Sequence, residues 1–168
     1  MITVPTDTSQ SGLESVNTYS LNNSYAFVRI ETLEINFIVC PTTVVRFALK
    51  LNGDNEIGIK FVDNKVVTYL KESGLESDIG GESYNPFLTW YKIENVGDNI
   101  NFLYSVDGVN FTQFSTITTE EVPFEIDHLK AILTAGTYDV EGIGFWVYMD
   151  NYNVGETVVQ PAIQLTLE

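Results

Sequence analysis

The sequence holds one cysteine, one histidine, and eight Lys and Arg residues against 23 Asp and Glu. A lone Cys40 excludes an intrachain disulfide and a cysteine-based zinc site. Inside the apolar run of residues 35–40 it reads as a small buried hydrophobe. A formal net charge of −15 counts against nucleic-acid binding, which needs cations to neutralise phosphate, and an anionic membrane would repel the chain too. The acidity reads first as solubility, with divalent-cation binding or a basic partner surface as the sharper option. No apolar run is long enough to span a bilayer, and the opening MITVPTDTSQSGLES carries neither the basic region nor the apolar segment of a secretory signal. Internal repeats and amphipathic helices of ordinary length are also missing.

What is present is β-forming. Nine Tyr, ten Phe and two Trp suit a pleated, half-buried surface, and 168 residues fit one domain large enough to bury a core without staples. Residues 88–118, LTWYKIENVGDNINFLYSVDGVNFTQFSTIT, carry three strand-like runs separated by Val96-Gly97-Asp98-Asn99 and Asp107-Gly108. They predict a β-meander whose second corner is a two-residue Asp-Gly turn. Upstream, residues 1–24 are Ser-, Thr- and Asn-rich and read as an arm or an irregular edge, leaving 25–168 as the sandwich domain. Alternation predicts strands over residues 25–31, 32–40 and 43–52, the last with Arg46 and Lys50 on a wet face. Residues 57–62 and 65–71 form the next hairpin, and the Gly-, Ser- and Glu-rich stretch 72–86 reads as a long loop. Residues 120–127 accept a short helix, a 3₁₀ turn or a bent edge strand. Further strands follow at 129–134, 142–149 and 158–167. Roughly ten short strands at this spacing predict an all-β protein, a two-sheet antiparallel β-sandwich of jelly-roll order.

Trp90-Tyr91-Lys92-Ile93, Gly97-Asp98 and the run from Phe102 to Phe111 resemble the W-x-x-[IL]…G-x…[FY]-x-S-x-D-G-x-x-W pattern of concanavalin A-like lectin/glucanase jelly rolls, laminin G-like modules among them. Residues 129–136 and 147–154 resemble two further strands of that family, so the likeness covers about the C-terminal half. Phe111 stands where Trp is usual. Such motifs imply a fold before an activity.

Glucanases of this family carry an E-x-D-x-E or E-x-D-x-x-E strand that supplies nucleophile and general acid. The stretch Glu125-Ile126-Asp127-His128-Leu129-Lys130 starts that pattern and lacks its final Glu, so the expectation is a non-enzyme without catalytic residues. Sugar binding needs aromatic faces beside amides and carboxylates. The candidates are Trp146 and Tyr148 on one strand face, joined by Tyr152 if the strand continues without a bulge, Tyr69 with Lys71 on another, and Tyr84 in the 72–86 stretch, with core filling as the alternative for Trp146. No metal residue is assigned, although Asp54-Asn55-Glu56, Asp98-Asn99 or Asp150-Asn151 leave calcium open beside their reading as turns.

A surface rich in Thr, Asn and Tyr on a chain without a secretory signal fits a virion protein released by lysis. The expected function is therefore a non-catalytic carbohydrate-binding or surface-decoration module of a bacteriophage tail, baseplate or capsid. It would contact host cell-wall polysaccharide and associate with itself or with other virion proteins. The alternatives are a purely structural virion assembly protein without a glycan ligand and, behind it, a glycoside hydrolase.

Overall fold

A computed structural model describes residues 2–3, 10–31, 43–137 and 146–156. The strands in chain order are β1 (Ile2–Thr3), β2 (Gln10–Glu14), β3 (Ser24–Glu31), β4 (Thr43–Asn52), β5 (Asn55–Val62), β6 (Lys65–Glu72), β7 (Leu75–Ser83), β8 (Trp90–Val96), β9 (Asn99–Ser105), β10 (Thr112–Thr118), β11 (Lys130–Thr137) and β12 (Trp146–Glu156). They form two six-stranded sheets, a first of order β1-β12-β3-β8-β9-β10 and a second of order β2-β11-β4-β5-β6-β7. The expected antiparallel β-sandwich is what the chain adopts.

Period-two alternation builds the core. Val28, Ile30, Tyr91, Ile93, Ile100 and Phe102 of the first sheet meet Val45, Phe47, Ile57, Ile59, Phe61 and Leu133 of the second, all buried in one cluster. Tight turns hold the second sheet in register. Asp63-Asn64 and Ser73-Gly74 both have positive φ, as two-residue hairpin turns require. Asn52 closes the β4–β5 turn with its side-chain carbonyl, which accepts from the amides of Asp54 and Asn55.

The meander of residues 88–118 stands as β8, β9 and β10, but its second corner differs from the expected turn. Only Gly108 has positive φ there. The loop is organised instead by Asp107, whose carboxylate accepts from the amides of Val109 and Asn110 and from the Asn110 and Ser105 side chains. Those bonds, led by the Asn110 and Val109 amides, hold the Asp107 pKa well below the usual carboxylate value. Gly108 lies on the Trp90 indole, where an added Cβ would come within 2.7 Å of a ring carbon. Trp90 is therefore a support for this loop.

One other expectation changes, and two narrow to one of their alternatives. Residues 72–86 are mostly strand, since the Ser73-Gly74 turn returns the chain as the polar edge strand β7, paired along β6. Gln10–Glu14 pairs with β11 as the opposite edge of the second sheet. Within 120–127 the only regular piece is the end of a 3₁₀ turn, Thr119–Glu121, capped by Glu121 on Thr118. Cys40 and the strands expected over 32–40 and 158–167 lie outside the described residues. No helix among the described residues is long and apolar enough to cross a membrane.

Candidate functional site

The outer face of the second sheet carries the densest set of functional groups. Cross-strand register aligns Lys130, Lys50, Glu56, Lys71 and Glu76 as one row over β11, β4, β5, β6 and β7. The next row is Ile132, Ala48, Gly58, Tyr69 and Asp78, and the one after it begins Thr134, Arg46, Lys60 and Val67. Directly opposed residues share a face, so these side chains all stand on the side away from the core.

Small residues shape the centre. Gly58 and Ala48 leave room for the Tyr69 ring, which packs into a buried cluster with Ala48 and Ile132. A Cβ at Gly58 would meet the Ala48 Cβ at 2.4 Å and the Phe47 carbonyl oxygen at 2.8 Å. Arg46 and Lys60 lie over the same ring, 5.4 and 5.5 Å from its centroid. The phenol donates to Glu56 Oε1 at 2.9 Å, and both residues are buried. Burial first, then the charge of Glu56, pushes the Tyr69 pKa well above its ordinary value, so the phenol stays a donor.

Around this centre the charges interlock. Arg46 Nη1 lies 3.7 Å from Glu56 and its Nη2 3.1 Å from Glu76. Lys60 Nζ reaches Glu76 at 2.7 Å and Asp78 at 2.6 Å. Burial draws the Lys60 pKa down, but the hydrogen bonds to Asp78 and Glu76 outweigh it, and the amine ends above its ordinary value. Glu14 binds Lys50 and Lys130, and those hydrogen bonds lower its pKa. Lys71 Nζ donates to the Gly53 carbonyl at 2.7 Å. An open cleft of about 360 Å³ runs over this face, lined by Ser11, Glu14, Arg46, Lys50, Glu56 and Lys71, with Gly53 and Thr134 at its side. Its described lining offers donors and acceptors on a paired strand scaffold and no exposed aromatic face.

The sequence-based candidates fall elsewhere or into supporting roles. Tyr69 is fully buried beneath two cations, so its ring cannot stack on a sugar; the tight Gly58-Ala48 floor lays it down on the sheet. Lys71 stands in the cleft as a hydrogen-bonding group. Tyr84 packs edge-on against core Phe61 with centroids 6.1 Å apart, and burial pushes its phenol pKa up to about 12. Trp146, Tyr148 and Tyr152 lie in β12 of the first sheet, with a register shift between Asp150 and Asn153; their side chains lie outside the described residues.

Glu125 and Asp127 precede β11 at an end of the sandwich, where Asp127 accepts from Ser20 and Asn22. Among the described residues, no group of three or more His, Cys, Asp or Glu could hold a metal ion. Asp54, Asn55 and Glu56, named above for calcium, divide between the Asn52-centred turn and the Tyr69–Glu56 pair.

An aromatic row also stands on the outer face of the first sheet. Tyr25 stacks on Phe27 with centroids 5.9 Å apart, Phe27 tilts against Trp90 at 5.9 Å, and Arg29 lies over Trp90. Their pairing along β3 and β8 was visible only as alternation within each strand. Glu14 and Glu76 of the cleft network carry no motif, and Glu56 entered only as part of a calcium candidate; the one signal was Arg46 and Lys50 four positions apart on one strand.

This architecture is a two-sheet jelly-roll sandwich of the concanavalin A-like kind, and solved structures share it. No family model and no curated protein matches the sequence. A Crh5 transglycosylase in complex with NAG aligns at TM-score 0.64 and 12% identity, covering 94% of this chain and 72% of that one. The beta-glucanase of Bacillus licheniformis aligns at TM-score 0.52 and 16% identity, covering 84% of this chain and 67% of that one. A Bacteroides ovatus mixed linkage glucan GH16 protein, in complex with a G4G4G3G product, aligns at TM-score 0.55 and 11% identity, covering 84% and 72%.

At such identities the likeness shows the fold. It also corrects the expectation of a non-enzyme: these neighbours are mostly glycoside hydrolases and transglycosylases, so the missing final Glu of one motif does not set the chain apart from catalysis. None of the three is described as a virion protein, and the bacteriophage assignment gains no support from them.

Proposed function

We propose that the chain is a carbohydrate-active jelly roll that takes a glycan chain along the outer face of its second sheet. One observation carries the reading: the cleft of about 360 Å³ in which Ser11, Glu14, Arg46, Lys50, Glu56 and Lys71 converge. Sugar hydroxyls are both donors and acceptors, and carboxylates beside ammonium and guanidinium groups satisfy both roles with charge-assisted bonds. Paired strands hold those groups before the ligand arrives, which lowers the ordering cost of binding. The fold shared with glycanases supports the same ligand class. In this reading the partner is a cell-surface or cell-wall polysaccharide.

A second reading, glycan cleavage, is favoured by the two carboxylates Glu14 and Glu56 that line the cleft. Glycoside hydrolysis uses two such groups, one ionised and one able to give a proton.

Affinity electrophoresis through gels containing mixed-linkage β-glucan, chitosan or polygalacturonate tests the first reading. Retardation by at least one polymer, reduced in Lys71→Met and kept in Tyr148→Ala, supports it. Retardation by none contradicts it, as does loss with Tyr148→Ala alone. Release of reducing ends from a retarding polymer, abolished in Glu56→Gln with the fold kept by circular dichroism, establishes cleavage; no release refutes it.

A further inference from the structure

The charge of the cleft face runs against that of the whole chain. Of the eight Lys and Arg residues in a protein of net charge −15, six stand on this one face by register: Arg46, Lys50, Lys60, Lys65, Lys71 and Lys130. Among the described residues, the carboxylates that share it are Glu14, Glu56, Glu76 and Asp78. Each of those four is already engaged. Glu14 binds Lys50 and Lys130, Glu56 binds Arg46 and Tyr69, Glu76 binds Arg46 and Lys60, and Asp78 binds Lys60.

Lys71 is the exception among the cations lining the cleft. Its amine is held only by the neutral Gly53 carbonyl among the described residues, and it stands between Glu56 and Glu76 in the same row. That carbonyl neutralises no charge and the amine makes no ion pair among the described residues, so the Lys71 ammonium can pair with an anion. Over the cleft itself, Arg46, Lys50 and Lys71 outnumber Glu14 and Glu56.

A neutral hexose chain has no use for a surplus of cations, and among the described residues of the cleft its usual stacking surface, an exposed aromatic ring, is missing because Tyr69 is covered. A polymer with a carboxylate on its sugars uses both features. Its hydroxyls meet the paired charges, and a carboxylate meets Lys71. The screening length of about 8 Å at physiological salt lets this local surplus act despite the acidic remainder of the molecule.

Resting on the carbohydrate reading above, we infer that the ligand of the cleft is an acidic, uronate-bearing polysaccharide, with Lys71 as the residue that reads its carboxylate. The test is calorimetric titration with polygalacturonate, with the same polymer fully methyl-esterified, with mixed-linkage β-glucan, and with an oligothymidylate. Polygalacturonate is expected to bind at least about tenfold more tightly than its ester. Lys71→Met should remove most of that difference, and Lys71→Arg should restore it.

Equal binding of acid and ester, or tighter binding of β-glucan, overturns the uronate assignment and leaves the carbohydrate reading standing. Binding of oligothymidylate as tight as that of polygalacturonate overturns the sugar assignment in favour of general anion binding. Binding of no polysaccharide overturns both. Circular dichroism of Lys71→Met, expected to match the parent, separates loss of the amine from loss of the fold.

Discussion

Removing the Tyr69 hydroxyl tests the centre of the cleft without disturbing its shape. Tyr69→Phe keeps the ring that fills the space above Gly58 and Ala48, and takes away only the donor that meets Glu56 Oε1 at 2.9 Å. Glu56 is 5% exposed, and its remaining charge partner, Arg46 Nη1, stands at 3.7 Å, too far for a strong hydrogen bond. A buried carboxylate that loses its short bond bears the desolvation cost, which for hydrogen bonds to charged groups is about 1.5–3 kcal/mol. Equilibrium urea unfolding reads this directly. With a slope of about 2 kcal/mol/M for a domain of this size, the midpoint should fall by about 1 M at unchanged slope. Adding Glu56→Gln to Tyr69→Phe should cost less than the two changes summed, because the two groups act as one unit. A loss below about 0.5 kcal/mol, or full additivity, would refute the claim that Tyr69 solvates Glu56.

Gly58→Ala should destabilise by about 1–3 kcal/mol in thermal unfolding, since its Cβ would meet the Phe47 carbonyl oxygen at 2.8 Å, and backbone has little room to move. Alkaline titration followed at the tyrosinate absorbance should leave Tyr69, Tyr84 and Tyr91 un-ionised as the exposed phenols titrate; burial raises all three, Tyr84 to about 12. Because those folded pKa values exceed the unfolded ones, the stability they contribute is complete below about pH 10 and is lost above it. Glu14 has the opposite sign: its folded pKa lies below 4.5, so its contribution is present above that value and lost as pH falls through the folded pKa. Glu14→Gln should therefore flatten the acid limb of stability, by no more than about 0.5 kcal/mol at this exposed position.

Strands with an apolar face were legible in the sequence and strands without one were not. The 88–118 meander alternates large and polar residues, and β8, β9 and β10 follow that rhythm. The edge strand β7, LESDIGGES, is largely exposed, so burial never required alternation there and its glycines suggested a loop. QSGLE, the edge strand β2, hid for a similar reason: it is short and polar.

The cleft was half legible. Arg46 and Lys50 stood out as a wet face on one strand. Their partners Glu14, Glu56 and Glu76 come from other strands, and only register brings them together. Tyr69 illustrates the limit of alternation from the other side: it lies on the outer face as its spacing implies, yet cations bury it. Asp107-Gly108 carried a hairpin dipeptide whose Asp uses its side chain to shape a wider loop.

The most direct measurement is an amide chemical-shift map recorded while polygalacturonate oligomers are titrated into the isotopically labelled protein. A glycan seated in the cleft should shift amides clustered on the second sheet, at Ser11 to Glu14, Arg46 to Lys50, Gly53, Glu56 and Lys71, and Lys71→Met should weaken the response. Shifts confined to the first sheet, on Tyr25, Phe27, Trp90 and β12, would contradict it.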